Sequence, residues 1–208
     1  PRRMNPKEKE RLLHLAEATA LLAGECLKNR RENLRSLKSA SGHDVKIQAD
    51  RASEDLIVES LSGSNIPIFS EEAGPVAAGG KKQIEDDETS LVWIVDPLDG
   101  SLNYYQGVPL SCVSIALCNE MQPILGVVFD FNHGDLFSGL IGSGAWHNHR
   151  PIQPSQVNEI SKAVLCTGFP VNTDFSSPAL SRFIDGIQHF RKIRLLGSAA
   201  LSLCYVAC

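Results

Sequence analysis

Two aspartates three positions apart stand directly after an apolar run in the middle of the chain. The run, residues 91–95, contains no polar residue; Asp96 ends it, and Asp99, Gly100 and Ser101 follow. Such a run is typical of a buried strand, and open α/β sheets place ligand sites at the carboxyl ends of their strands. The glycine and hydroxyl are typical of a turn or helix start, where free backbone N–H groups face an anion. Together they favour a divalent metal, Mg²⁺ first, that bridges protein and phosphate.

An ordinary surface turn or a pair of helix caps has the same Asp-x-x-Asp-Gly pattern, so this fragment alone leaves that alternative open. A second apolar stretch, residues 66–69, also runs into acids, since Ser70 is followed by Glu71 and Glu72. If the two strands are neighbours, their carboxylates converge, repel one another and raise each other's pKa values, a cost that a bound cation removes. Two metals that share a carboxylate would clamp the attacking water and the leaving oxygen of a phosphate ester.

The composition excludes several classes of protein. With 208 residues, 43% of them hydrophobic and 21% charged, the chain can bury a core as one large domain or two small ones. A net charge of −4 without a Lys/Arg block argues against a nucleic-acid partner. We find no apolar stretch long enough to cross a membrane, so no membrane partner is expected. Six scattered cysteines without a Cys-x-x-Cys motif indicate a reducing cytoplasm and disfavour a disulfide framework or a zinc site.

Two helices are predicted in the first third of the chain. Asn5 as a cap and Pro6 in the first turn begin a long helix that ends near Asn33. Its predicted inward stripe is Leu12, Leu15, Ala16, Thr19, Leu22, Ala23, Cys26 and Leu27. A second helix starts at Asp50, which we interpret as its cap, and ends near residues 62–65.

The rest of the chain indicates a mixed architecture. Residues 111–118, 124–131, 136–141 and 145–147 are predicted as the strands of an antiparallel meander. A strand at 163–167, a helix at 177–191, a strand at 193–196 and a helix at 199–207 follow. The helix at 177–191 is expected to turn these side chains inward: Leu180, Phe183, Ile184 and Ile187. Helices with a largely antiparallel sheet predict a layered α+β domain.

Two stretches carry a family signature: Phe69-Ser70-Glu71-Glu72 and Trp93-Ile94-Val95-Asp96-Pro97-Leu98-Asp99-Gly100-Ser101-Leu102-Asn103. They resemble the signature of the inositol monophosphatase family. That family belongs to the Mg²⁺-dependent, lithium-sensitive phosphatases, with bisphosphate nucleotidases and fructose bisphosphatases. Lys38, Asp44-Val45 and Ala49-Asp50 match its early loop and helix, and residues 194–200 match its late strand, turn and helix. A haloacid-dehalogenase phosphatase would need its two aspartates two apart.

The resemblance implies a fold, a cofactor and partners. The fold is a layered α/β/α/β sandwich of the inositol monophosphatase or sugar phosphatase type, with residues 1–208 as a single domain. The cofactor is Mg²⁺, with two or three ions in each site of the intact family. The implied partners are a small phosphorylated metabolite and a second copy of the chain in a homodimer.

The resemblance also assigns roles to residues. Glu71, Asp96 and the Leu98 carbonyl would hold the first Mg²⁺, and Asp96 with Asp99 the second. Glu71 and the Ser101 hydroxyl would orient a water for in-line attack on phosphorus, without a phosphoenzyme, and Asp50 would hydrogen-bond Ser101, which stands where the family usually has Thr. The substrate-binding positions would be Asp99, Gly100, Ser101 and Leu102 at the phosphate, and Gly197, Ser198 and Ala199 at the alcohol.

Several of these residues have a structural alternative. Asp50 alone fits a helix cap, Glu72 a solvated neighbour of Glu71, and Lys38 a surface charge. Gly197 and Ser198 fit ordinary helix capping. Trp93 is expected in the core, and His133, His147 and His149 in turns.

One departure from the family concerns the end of the chain. The family continues to a Trp-Asp-x-Ala-Ala-like motif, whose aspartate completes the second metal position. Here Trp93 and Trp146 are the only tryptophans, and neither is followed by Asp. We therefore expect a C-terminally incomplete domain that is weakly active or inactive and still binds the first metal.

Three functions stay open at this point. The first is hydrolysis of a small sugar or polyol phosphate, such as myo-inositol monophosphate. The second is a 3'(2'),5'-bisphosphate nucleotidase of the same superfamily. The third is a non-enzymatic metal-binding or oligomerising protein.

Overall fold

The computed structural model describes residues 4–34, 37–41, 44–71, 74–76, 91–120, 122–170 and 172–208. Glu72 and the side chain of Lys38 lie outside the described part. The helices are α1 (Pro6–Asn29), α2 (Arg31–Leu34), α3 (Gln48–Ser62), α4 (Ser101–Gln106), α5 (Ser177–Ile187) and α6 (Ala199–Ala207). The strands are β1 (Leu37–Ser41), β2 (Asp44–Ile47), β3 (Ile68–Ser70), β4 (Gly74–Val76), β5 (Leu91–Asp99), β6 (Cys112–Asn119), β7 (Gln122–Asp130), β8 (Asp135–Leu140), β9 (Gly144–His147), β10 (Arg150–Pro151), β11 (Val164–Cys166) and β12 (Lys192–Arg194).

An eight-stranded mixed sheet forms the centre of the fold. Its strand order is β10-β9-β8-β7-β6-β5-β3-β4, and its antiparallel run from β5 to β10 contains the meander that the sequence predicts. β3 and β5 pair in parallel, with Ser70 opposite Val95. The carboxyl ends of these two strands therefore lie side by side, as the convergence of their acids requires.

Helices α1 and α3 cover one face of this sheet and build the main core. The Asn5 side chain accepts a hydrogen bond from the Glu8 N–H, so the predicted helix start is confirmed. Val113, Ile115 and Leu117 of β6 point into this core with the buried residues of α1. Leu22 was wrongly predicted to face inward: it is 48% exposed, and Leu13 and Ala20 are buried instead. Leu22 lies at the margin of the apolar stripe of α1, on the side that faces away from the sheet.

Trp93 lies at the centre of this core. Its side chain is fully buried on β5, and its indole N–H donates to the Ser64 hydroxyl at 3.0 Å. The expectation of a core tryptophan is confirmed. Because β5 is anchored through Trp93, the carboxylates that follow start from a fixed strand.

The opposite face of the sheet carries α6. Ala200, Leu203, Cys204 and Ala207 of this helix border a groove of about 300 Å³ over Ser114 and Ala116. β11 and β12 form a separate parallel pair connected through α5. No described helix is long and apolar enough to cross a membrane.

The predicted inward face of α5 is wrong for part of its stripe. Leu180 is 37% exposed and Ile184 54%, while Phe183 packs against Phe169 at 5.0 Å between ring centroids. None of the α5 side chains is buried. The stripe is amphipathic in sequence, but within the described residues no layer covers it.

Candidate active site

The end of β5 is shaped by a β-bulge. Asp96 pairs with Ser114 of β6, and the next pair along the strand is Asp99 with Cys112. Three steps on β5 therefore match two on β6, so one extra residue is accommodated there. Pro97 lies inside this irregularity and has no N–H to donate to a ladder. The bulge presents two carboxylates, three residues apart, at the end of a single strand.

Glu71 and Asp96 form a close carboxyl pair across the parallel strands. The Glu71 N–H donates to the Val95 carbonyl at 3.1 Å, which extends the strand pairing up to the acids. Burial, then the charges of Glu71 and Asp99, raise the pKa of Asp96 from 3.8 to about 8; a hydrogen bond with Glu71 adds to this rise. The Leu98 N–H donates to Asp96 at 3.1 Å and acts in the opposite direction. At neutral pH the Asp96 carboxyl therefore keeps its proton.

Asp99 faces the beginning of α6. One carboxylate oxygen accepts hydrogen bonds from the Ser198 hydroxyl at 2.6 Å and the Ala200 N–H at 2.7 Å, and the other accepts from the Ala199 N–H at 3.3 Å. The positive end of the helix dipole lies at this point, so the negative charge is stabilised. Ser198 also caps α6 by accepting from the Leu201 N–H. Ser198 is therefore both the N-cap of α6 and a hydrogen-bond donor to Asp99.

A cysteine lies against this carboxylate. The Cys112 thiol is fully buried and contacts Asp99 at 3.7 Å and Ser198 at 3.8 Å. Burial and the negative charge of Asp99 raise the pKa of Cys112, so it remains a neutral thiol. All six cysteine thiols of the chain are free. Cys112 therefore contributes packing and a weak donor beside Asp99.

Ser101 connects α3 to the bulge. Its hydroxyl lies 2.8 Å from a carboxylate oxygen of Asp50 and 2.9 Å from the Leu98 carbonyl, and can donate to either. Asp50 was wrongly interpreted as a helix cap. α3 begins at Gln48, and Asp50 lies in its first turn with only 4% of its surface exposed. The chain entering α3 is already helical two residues earlier, which turns this carboxylate toward Ser101.

Two glycines let the backbone segments of the site approach each other. Gly100 has φ +87°, and a Cβ there would lie 2.7 Å from the Leu110 carbonyl oxygen. Gly197 has φ +69°, and a Cβ there would lie 2.9 Å from the Asn103 amide nitrogen. That amide donates to the carbonyls of Leu110 and Leu196, both at 2.8 Å. Any side chain at either glycine would force these segments apart.

Helix α4 starts at Ser101 directly after Gly100. Its first ladder bond runs from the Tyr104 N–H to the Gly100 carbonyl, so the N–H groups before Tyr104 have no partner within the helix. Leu102 lies in this first turn with its side chain 51% exposed. The predicted phosphate cradle thus has N–H groups that precede the helical ladder.

A groove of about 560 Å³ opens beside the Asp99 and α6 contact. The predicted alcohol-side residues Gly197, Ser198 and Ala199 border it. Its other lining residues are Cys166, Thr167, Gly168, Phe169, Pro170, Ser202 and Leu203. The structure therefore brings the predicted phosphate and alcohol residues to adjoining surfaces.

The donor set suits a divalent cation. Carboxylates and a backbone carbonyl are the hard oxygen donors that Mg²⁺ prefers. Among the described side chains, no ion pair joins Glu71, Asp96 or Asp99 to Lys, Arg or His. In the same part of the chain, no three His, Cys, Asp or Glu side chains are grouped closely enough to hold a metal ion. Asp99 is directed at α6. Asp96 beside Glu71 keeps its proton, and a bound cation would relieve the same charge repulsion.

Sequence analysis missed two residues that hold the site together. Asn103 belongs to the quoted motif but was given no role, and its amide joins the Leu110 carbonyl to the Leu196 carbonyl directly before Gly197. Ser53 was not considered, although it lies three residues after Asp50 and so shares a face of α3 with it. Its hydroxyl donates to the Pro97 carbonyl at 2.7 Å.

Comparison with known proteins gives a consistent result. A sequence profile of the inositol monophosphatase family matches residues 8–208. Inositol monophosphatase 3 of Solanum lycopersicum is 35% identical over 204 residues, which is 96% of this chain and 74% of the relative. Nus factor SuhB of Pasteurella multocida is 33% identical over 211 residues, or 98% of this chain and 73% of that protein.

Solved structures show the same likeness. The extragenic suppressor protein suhB of Bartonella henselae superimposes with a TM-score of 0.80 at 29% identity, covering 94% of this chain and 74% of that one. Inositol monophosphatase from Anabaena superimposes with a TM-score of 0.78 at 32% identity, covering 96% and 71%. The layered α+β architecture expected from the sequence is therefore confirmed.

Proposed function

The chain belongs to the inositol monophosphatase family, a family of phosphatases, and from this we propose that it is a Mg²⁺-dependent phosphomonoesterase acting on a small sugar or polyol phosphate such as myo-inositol monophosphate. The observation that carries the proposal is the Glu71–Asp96 carboxyl pair beside Asp99, at the carboxyl ends of two parallel strands. Acids assembled at one point without a compensating charge among the described side chains are costly unless a cation binds there.

Four groups would hold the cations. They are the carboxylates of Glu71, Asp96 and Asp99 and the Leu98 carbonyl. Bound Mg²⁺ would supply a Lewis acid that makes water a stronger nucleophile and offsets the charge developing on the phosphoryl group.

The chain's own residues would orient the reactants. Glu71 would accept the proton of the attacking water, and the Ser101 hydroxyl would fix the direction of that water. Asp50 would hold Ser101 through their 2.8 Å hydrogen bond. The N–H groups of Gly100, Ser101 and Leu102 would bind phosphate oxygens before the α4 ladder begins.

The alcohol part of the substrate would lie toward α6. Gly197, Ser198 and Ala199 would contact it, because they border both the groove and Asp99. Ser198 and Asn103 would keep this wall in place through their bonds to Asp99 and Leu196.

We further propose that residues 1–208 form a single domain that works in the cytoplasm as a homodimer. The six free thiols support a reducing compartment. The core shared by α1, α3 and the eight-stranded sheet supports a single domain. Light scattering coupled to size exclusion would measure the mass of the particle, and a monomer would overturn the homodimer.

Phosphate release from myo-inositol 1-phosphate tests the activity, with Mg²⁺, with chelator, and with Mg²⁺ plus Li⁺. We expect slow Mg²⁺-dependent release that Li⁺ lowers. Asp96→Asn should reduce it by at least about 100-fold. Asp55→Asn, the same change at an exposed site on α3, should leave it unchanged.

Three outcomes would contradict parts of the proposal. Release from a nucleoside 3',5'-bisphosphate alone would favour the nucleotidase. No release from any phosphate ester by a folded chain would favour the non-enzymatic alternative. Equal release with and without chelator would refute Mg²⁺ dependence.

A further inference from the structure

Ser53 lies on α3, one helical turn after Asp50, and is fully buried. Its hydroxyl donates to the Pro97 carbonyl at 2.7 Å. Asp50 binds Ser101 from the same helix at 2.8 Å. Helix α3 therefore holds the bulge at two points, one on each side of Leu98.

The peptide group between Pro97 and Leu98 is hydrogen-bonded at both its carbonyl and its N–H. A peptide unit is planar, so its carbonyl and its N–H move together. Ser53 binds the carbonyl, and the Leu98 N–H donates to the Asp96 carboxylate at 3.1 Å. The orientation of this peptide plane therefore sets the direction of the Asp96 oxygen that accepts from the Leu98 N–H. It also sets the position of Leu98, and with it the position of the Leu98 carbonyl.

Pairing with β6 does not fix this plane. Strand pairing between β5 and β6 passes from Asp96 directly to Asp99, so Pro97 and Leu98 have no partner residue on β6. Pro97 also offers no N–H of its own. The hydrogen bond from the Ser53 hydroxyl to the Pro97 carbonyl replaces the strand-to-strand hydrogen bond found elsewhere along β5.

We propose that Ser53 is a positioning residue that orients the Asp96 carboxylate and the Leu98 carbonyl for a divalent cation. The inference rests on the proposed function, since it needs a cation at these groups. Ser53 touches neither cation nor substrate and acts through the Pro97–Leu98 peptide. Without the Ser53 hydroxyl, the Pro97–Leu98 peptide can rotate. The Asp96 carboxylate and the Leu98 carbonyl then no longer point toward the same cation position.

A purely structural role would have a different consequence. Any buried hydroxyl that satisfies a backbone carbonyl supports stability. Thr19 on α1 gives a matched case: it is 2% exposed, and its hydroxyl donates to the Leu15 carbonyl at 2.8 Å, in a helix away from the carboxylates. Ser53→Ala and Thr19→Val each remove one such bond.

The test measures Mn²⁺ binding to the 208-residue chain by electron paramagnetic resonance at pH 8. It compares wild type, Ser53→Ala, Thr19→Val and Asp96→Asn. Urea unfolding with chelator is measured in parallel. We expect both hydroxyl variants to lose a similar amount in the unfolding midpoint. Of these two, only Ser53→Ala should lose Mn²⁺ affinity, by about 10-fold or more, the size expected for groups that orient metal ligands.

Two results would overturn the inference and leave the proposed function standing. One is Ser53→Ala binding Mn²⁺ as tightly as wild type, while Asp96→Asn binds less tightly; the proposed cation site then stands without a role for Ser53. The other is an equal loss of affinity in Thr19→Val, which would mean general loosening of the fold. If wild type and Asp96→Asn bind Mn²⁺ equally weakly, the cation site of the proposed function is refuted, and the inference with it.

Discussion

Replacing Asp96 by Asn should make the metal-free protein more stable. The Asp96 carboxyl is buried beside Glu71 and Asp99, and this raises its pKa from 3.8 to about 8. Asn has nearly the same shape and does not titrate. Its amide oxygen can still accept the Leu98 N–H at the position of the Asp96 oxygen. The substitution therefore removes a charge conflict and keeps the local hydrogen bond.

The sign and size of the effect follow from the pKa. A carboxyl whose pKa is higher in the folded protein keeps its proton there while the unfolded chain loses it, so the free energy of unfolding falls as pH rises from about 4 to about 8. Each pKa unit corresponds to about 1.4 kcal/mol, which sets a ceiling of about 6 kcal/mol. Because Asp96 is hydrogen-bonded to Glu71 and remains partly solvated, we expect about 2 kcal/mol at pH 8.

The assay is urea unfolding with chelator, followed by the fluorescence of Trp93 and Trp146, at about pH 5 and pH 8. Asp96→Asn should exceed wild type at pH 8 by more than at pH 5. Adding Mg²⁺ should stabilise wild type and not the variant. An Asp96→Asn variant less stable than wild type at pH 8 with chelator would refute the reasoning about charge conflict.

Asp99→Asn is the matched comparison and should have the opposite sign. The Asp99 carboxylate accepts hydrogen bonds from Ser198, Ala199 and Ala200 at the start of α6. Loss of the negative charge weakens all three hydrogen bonds. The NH₂ group of Asn would also face the hydroxyl and N–H groups that now donate to Asp99. We expect a loss of about 1–3 kcal/mol. Equal effects of both substitutions would mean that these two acids have equivalent surroundings.

Other substitutions test the backbone and hydroxyl groups of the site. Gly100→Ala should cost about 2–3 kcal/mol in urea unfolding, because φ is +87° and the new Cβ would lie 2.7 Å from the Leu110 oxygen. Gly63→Ala, where no atom of the described part of the chain would lie within 4 Å of the Cβ, should change the free energy of unfolding by less than about 0.5 kcal/mol. Ser70→Ala should be neutral or stabilise by up to about 1 kcal/mol, because this buried hydroxyl has no hydrogen-bond partner among the described residues; a clear loss of stability would contradict that. Ser101→Ala should lower Mg²⁺-dependent phosphate release about 100-fold, while Ser101→Thr, which keeps the hydroxyl, should stay within about threefold of wild type; equal loss in both would exclude the hydroxyl.

Local sequence patterns predicted much of the fold. The uninterrupted apolar run of β5 and the acids after it gave the strand and its end, because burial on both faces leaves no place for a polar residue. The cap at Asn5 and the turns of the meander are local chemistry as well. Which face of a helix is buried depends on tertiary packing, and the predictions of buried faces were partly wrong. Leu180 and Ile184 of α5 follow a helical stripe, yet no described layer covers them.

The site divides in the same way. Asp96, Asp99, Gly100 and Ser101 are close in sequence, so their spacing carried information about their chemistry. The contacts that hold them come from far away: Ser53 is 44 residues from Pro97, and Ser198 is 99 residues from Asp99. No local pattern marks such pairs, because they depend on how α3 and α6 dock on the sheet.

The distance between Asp99 and Ser198 has a consequence during synthesis. A ribosome adds about 5–20 residues per second, so the 99 residues between them take about 5–20 s to make. Glu71, Asp96 and Ser53 are all translated before that interval begins. Asp99 emerges without the helix start that will stabilise its charge. The nascent chain thus carries its carboxyl pair for several seconds before the start of α6 that binds Asp99 exists.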